Sequence, residues 1–110
     1  MSDNIFHTKQ FKDNLQNYED ALSAGHPLYL EPDDYTDIAE YYQLHGRFND
    51  ALEAVDTALS MFPGATQPLA FRARVAILID HDAEEAMHYA NMIADKQDLD
   101  YYYTVAEIMI

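Results

Sequence analysis

Cysteine is absent from this chain of 110 residues. That excludes a disulfide framework, a thiolate metal site and a cysteine nucleophile. Glycine occurs three times and proline four, too few turn-formers for a sandwich or barrel of many short strands. Three glycines cannot build a phosphate-cradling loop, and no serine sits in a Gly-x-Ser-x-Gly elbow. No run nears the ~18 apolar residues of a membrane span. The start, MSDNIFHTKQFKDN, lacks the apolar core behind a basic region that marks a signal peptide, so the expected location is cytoplasmic. Positive charge is scarcest: 6 Lys and Arg stand against 20 Asp and Glu, a net charge of −14. Phosphate backbones and anionic lipid surfaces need a basic patch, so neither nucleic acid nor a membrane is an expected partner. An acidic surface does suit a basic one.

What is present is apolar side chain at helical spacing. Hydrophobic residues make up 49% and aromatics 13% of the chain, which argues against disorder and for one small domain with a core. From Lys9 to Ala24, Phe11, Leu15, Tyr18, Ala21 and Leu22 share one stripe, and Gly25 with Pro27 beyond it ends that helix. Leu28-Tyr29-Leu30 is too short for a sheet and reads as an extended connector tucked under the first helix. Pro32 opens a second helix, with Asp33 or Asp34 as its cap. Tyr35, Ile38, Ala39 and Tyr42 form its stripe, and Gly46 ends it. Phe48, Ala51, Leu52, Val55, Ala58, Leu59 and Phe62 make the next stripe, stopped by Pro63-Gly64. The short connection makes these two helices antiparallel neighbours.

Thr66 is placed to cap a further helix, apolar over most of its circumference from Leu69 to Ile79 and so expected between others. After Asp80-His81-Asp82, Asp82 and Glu85 fit a capping box, and the periodicity predicts a helix from about Ala83 to Lys96 with Ala86, Met87, Tyr89, Ala90, Ile93 and Ala94 inward. The last segment, Asp100 to Ile110, is helical in pattern, with Tyr102, Val105, Ala106 and Met109 on one stripe.

The stripes repeat. Tyr35 and Leu69 lie 34 residues apart, as do Ala39 and Ala73; Ala51 and Ala86 lie 35 apart, and Ala73 and Ala106 lie 33 apart. A unit of about 34 residues made of two antiparallel helices is a solenoid signature. Each unit keeps a small residue where two helices must approach closely.

These residues resemble the tetratricopeptide repeat (TPR) family. Tyr35, the pair Ile38-Ala39 and Tyr42 match its first helix, Gly46 and Phe48 its turn, and Ala51, Val55, Ala58 and Pro63 its second helix and stop. The next unit keeps Leu69, Ala73, Ala86, Ala90 and Ala94, but Arg72 replaces an aliphatic residue, and an extra residue falls near His81 where the turn glycine would be. The stretch YLEPDDYTDIAEYY also looks like the start of certain bacterial TPR proteins of unassigned role. The resemblance implies an all-α fold, a right-handed solenoid of antiparallel helix pairs with about six helices. Its parts would be an N-terminal helix and connector (8–31), a full repeat (32–65), a degenerate repeat (66–97) and the first helix of a third repeat or a cap (98–110).

It further implies that the first helices of successive repeats line a concave groove holding a peptide or protein segment. Asp33, Thr36, Asp37, Glu40, Gln43 and Leu44 would come from one repeat, and Phe71, Arg72, Val75 and Leu78 from the next. The groove is acidic, so a basic or amphipathic partner is expected. The lysine–asparagine clamp of chaperone-binding members is not present. The bland alternative for Arg72 and Arg74 is charge balance against Asp37 or Glu40.

Tyr101, Tyr102, Val105, Ile108 and Met109 end the sequence without the polar outer face of a capped solenoid. Either the natural chain continues or this surface pairs with a second copy in a homodimer. No catalytic constellation and no cofactor site is expected, and the function expected is protein binding or scaffolding. Two alternatives stay open. One is a metal site on Glu85 and His88, whose Glu-x-x-His spacing puts two ligands on one helical face but lacks the second motif that a two-metal bundle needs. The other is a structural fragment of a longer solenoid.

Overall fold

A computed structural model describes residues 3–109. Among them are a short 3-10 turn, Asp3–His7, and six α-helices: α1 Lys9–Ala24, α2 Pro32–Leu44, α3 Phe48–Met61, α4 Thr66–Leu78, α5 Ala83–Asn91 and α6 Leu99–Met109. The described residues contain no strand, and none of their helices is long and apolar enough to cross a membrane. Sequential helices pack together: α1 on α2, α2 on α3, α4 on α5 and α5 on α6. Helix α4 also packs on α3, and the contacts between non-consecutive helices run through α4, which touches α2 and α6. The body measures 40 × 25 × 23 Å.

Local chemistry sets the helix ends. The Thr8 hydroxyl accepts the Phe11 N–H at 3.1 Å and starts α1, and Gly25 ends it at φ 68°, a left-handed conformation open to glycine at little cost. The cap of α2 falls on Glu31, ahead of the aspartates expected to cap it, with the Glu31 N–H donating to the Asp34 carboxylate at 3.0 Å. Ala65, not Thr66, precedes the first turn of α4. Asp82 caps α5 by accepting the Glu85 N–H at 3.0 Å.

Gly46 turns the chain between α2 and α3 at φ 73°. In the turn after α4 the left-handed residue is His81, at φ 54°. A side chain there is strained, so His81→Gly is expected to raise stability by ~0.5 kcal/mol, read as a higher urea midpoint at unchanged m.

Two buried clusters form the core. One joins Phe11 and Tyr18 of α1, Tyr35, Ile38, Ala39 and Tyr42 of α2, Ala51, Ala54, Val55 and Ala58 of α3, and Phe71 and Val75 of α4. The other joins Ala73 and Ala76 of α4, Ala86 and Ala90 of α5, and Ile108 of α6. The central helix α4 therefore divides its circumference between both clusters, which is why it is apolar nearly all round. Leu28 and Leu30 of the connector pack against the first cluster, while Tyr29 points out, exposed.

The helix expected to reach Lys96 stops at Asn91. The Lys96 ammonium donates to the Asn91 and Ile93 carbonyls at 2.7 and 2.8 Å, satisfying acceptors that another helical turn would have used. Ile93 is fully buried, and the Ala94 N–H donates to Gly64 O at 3.0 Å. Ala94 is exposed rather than inward. A Cβ on Gly64 would lie 2.9 Å from that of Ala94, so glycine admits this close passage of the two connections.

Candidate functional site

Helices α2, α4 and α6 present polar residues at matching sequence spacings. Asp33, Gln67 and Asp100 form one row, at steps of 34 and 33, and Glu40, Arg74 and Glu107 form a second at the same steps. The Gln67 amide donates to the Asp100 carboxylate. Burial holds the Asp33 carboxyl above its ordinary range, with further contributions from the charges of Asp34, Asp100 and Asp98. Acid groups from both ends of the row thus feel one another.

In the second row Arg74 Nε lies 3.8 Å from Glu107 Oε2. Glu40 is half-buried, and its Oε2 has no hydrogen-bond partner among the described residues. Burial raises the Glu40 carboxyl and the charge of Arg74 partly offsets this. Asp37, half-buried, lies between the rows and borders a cleft of about 140 Å³ formed with Thr8, Phe11 and Asn14 of the N-terminal segment.

The carboxyl of Asp37 is pushed up to about 6, first by burial and then by Glu40, Asp34 and Asp33. Its folded-state value lies above its unfolded one, so the folded chain holds this proton more tightly. Ionised Asp37 destabilises the fold above about pH 6, and the penalty disappears as pH falls towards 3.8. With its partial exposure discounted for solvent screening, the penalty is ~1 kcal/mol. Asp37→Asn is expected to raise stability by about that much at pH 7.5 and by nothing measurable near pH 3.5, in paired urea melts.

The residues expected to line a groove are divided by the structure. Asp33, Asp37, Glu40 and Gln43 share the α2 side, and Gln43 meets Phe71, Arg74, Val75, Leu78 and Ile79 around a cleft of about 50 Å³. Phe71 and Val75 offer only their edges there, since both are buried in the first core cluster. Thr36 is buried, and its hydroxyl donates back to Pro32 O at 3.1 Å. Leu44 opens instead onto a separate cleft with Phe6, His7, Tyr41 and His45.

Arg72 does not reach this face. Its guanidinium forks onto Asp56 of α3, with Nε–Oδ1 at 2.9 Å and Nη2–Oδ2 at 2.5 Å, and its Cζ lies 5.9 Å from the Tyr89 ring centroid. Arg74 stands on the face in its place. Arg74 was named in the sequence only as charge balance for Asp37 or Glu40, and Gln67, Asp100 and Glu107 were missed, although stepping 34 and then 33 residues from Asp33 and Glu40 would have found all four.

Of the C-terminal residues expected to self-associate, Ile108 is buried in the second cluster and Tyr101 and Val105 are half-buried, whereas Tyr102 and Met109 are exposed. Glu85 and His88 stand exposed on α5. Among the described residues no three His, Cys, Asp or Glu side chains come together as a metal centre needs. Compared with family models, with curated proteins and with solved structures, the chain matches none.

Proposed function

We propose that this chain is a protein-interaction module of the TPR kind, a right-handed array of helix pairs that holds a basic or amphipathic segment of another protein on α2, α4 and α6. The observation that carries this reading is the pair of polar rows, Asp33–Gln67–Asp100 and Glu40–Arg74–Glu107, in matching register on three helices. With Asp37 between them they bring five carboxylates and one guanidinium to one face. A cationic side chain placed there would pair with the free oxygen of Glu40 and offset the cost of the ionised Asp37 carboxylate. A carboxylate that is half-buried without a cation is costly alone and gains most from an incoming one.

The test is fluorescence anisotropy with a labelled amphipathic lysine–leucine peptide at several salt concentrations. Asp37→Lys with Glu40→Lys is expected to weaken binding at least tenfold, after circular dichroism confirms the fold. Reversing two exposed carboxylates on α5, Glu84→Lys with Glu85→Lys, changes the net charge equally and is expected to leave affinity within twofold. Equal losses from both pairs would reduce the binding to bulk charge and sink the proposal.

A further inference from the structure

A cleft of about 360 Å³ that shares no residue with the polar rows opens between α1, α2 and α3. Its size falls within the ~300–1,000 Å³ of small-molecule sites. Helix α1 contributes Tyr18, Glu19 and Leu22, α2 contributes Tyr42, and α3 contributes Asp50 and Glu53. Arg47, in the turn before α3, stands at its edge.

Tyr18, 2% exposed, forms the floor of this cleft. Its ring belongs to the first core cluster, edge-on to Tyr35 with centroids 6.1 Å apart. Its hydroxyl is buried and has no hydrogen-bond partner among the described residues. Thr57 is a polar neighbour, but the Thr57 hydroxyl donates its proton to Glu53 O at 2.8 Å. It therefore has no proton for Tyr18, whose oxygen lacks a donor. Burial, and then the charge of Glu53, push the Tyr18 pKa up to about 12. The phenol is thus neutral at ordinary pH, and the Glu53 carboxylate acts on the same hydroxyl. A buried polar atom without a partner is costly, and a ligand that supplies the missing donor removes the cost.

The walls of the cleft are anionic. Asp50 accepts Arg47 Nε at 2.8 Å, and Arg47 Cζ lies 4.5 Å from the Tyr42 ring centroid, so that cation is already placed. Glu19 Oε2 accepts the Tyr42 hydroxyl at 2.8 Å. Neither Glu19 on α1 nor Glu53 on α3 has a cationic partner among the described residues. These carboxylates do not converge as a metal centre needs, so the charge to be matched is spread across the cleft. The structure assigns to it a small aliphatic diamine. One ammonium donates to the Tyr18 oxygen and to Glu53, the other donates to Glu19, and the methylene stem lies on Leu22, itself 55% exposed. An ammonium has three donors and no acceptor, which suits a buried oxygen short of a donor between two unpaired carboxylates. Its stem can cover apolar surface while its charge stays at the wet rim.

The experiment titrates the full chain with 1,4-diaminobutane, by calorimetry and NMR, in about 0.15 M salt so that bulk charge is screened. Saturable one-to-one binding is expected, with shift changes centred on Tyr18, Glu19 and Glu53. The uncharged 1,4-butanediol, of similar length, should produce none. Tyr18→Phe removes the hydroxyl oxygen and keeps the ring, and is expected to weaken binding about tenfold without lowering the urea midpoint. Glu53→Gln is expected to weaken it about fivefold. Four results would overturn the inference: no saturable binding; equal affinity of the Tyr18→Phe chain; a lower urea midpoint for Tyr18→Phe, which would mean that the hydroxyl is satisfied within the fold; or equal affinity for Nα-acetyl-lysine amide, which would mean that one ammonium suffices and the cleft takes a lysine side chain. Asp37→Asn with Glu40→Gln should leave diamine affinity within twofold, so this outcome is separate from that of the polar rows.

Discussion

Ala39→Asp is expected to cost ~4 kcal/mol or to leave the chain unfolded, while Ala106→Asp at the matching repeat position costs less than ~0.5 kcal/mol. Ala39 has no exposed surface and sits among Tyr35, Ile38, Tyr42, Ala51 and Val55. A carboxylate there must either push α2 and α3 apart or stay unpaired in an apolar core. The total stability of a small domain is only ~5–15 kcal/mol, so this one change consumes much of it. Ala106 is exposed, and a carboxylate on it stays in water. Urea melts followed by circular dichroism read both. Equal effects at the two sites would mean that α6 is covered, and no effect at Ala39 would mean that the helix pairing itself is misassigned.

Phe71→Ala is expected to cost ~3 kcal/mol, at the lower end for a buried phenylalanine. Phe71 is 2% exposed and belongs to the cluster of α1, α2 and α3, although it is carried by α4. It therefore ties the first helix pair to the second. Its ring also edges the cleft of about 50 Å³ with Gln43 and Leu78, so part of the vacated space opens to water, which limits the penalty. A drop in urea midpoint at unchanged m is the expected signature. A change under ~0.5 kcal/mol would return Phe71 to the open groove where the family resemblance had put it.

Both predictions turn on which side of a helix is covered, and this is where sequence and structure part. The helices were legible because their causes are local: Gly25 and Gly46 sit at the left-handed turns, Pro63 lies just past α3, and the apolar stripes carry the 3.6-residue period. The spacings Tyr35–Leu69 and Ala39–Ala73–Ala106 are a property of the sequence alone. Arg72 and Arg74 were harder to separate. Two residues apart on a helix, they point to nearly opposite sides, and only Asp56 and Tyr89 on one side and Glu107 on the other show which is which. The extra residue at His81 follows α4 and leaves the step of 34 within that helix intact. The early end of α5 was also not local, since it depends on Lys96, buried Ile93 and the passage past Gly64.

The sequence by itself determined six helical segments, most of their turns and a strongly acidic composition, because periodicity and capping act over a few neighbouring residues. Only the tertiary structure decided that Arg74 and not Arg72 joins the carboxylates, and that Tyr102, Ala106 and Met109 lie bare while Tyr35, Ala39 and Tyr42 are sealed. The two stripes have the same pattern. Burial depends on what lies across from a side chain, and α3 lies across from one stripe while none of the described helices covers the other.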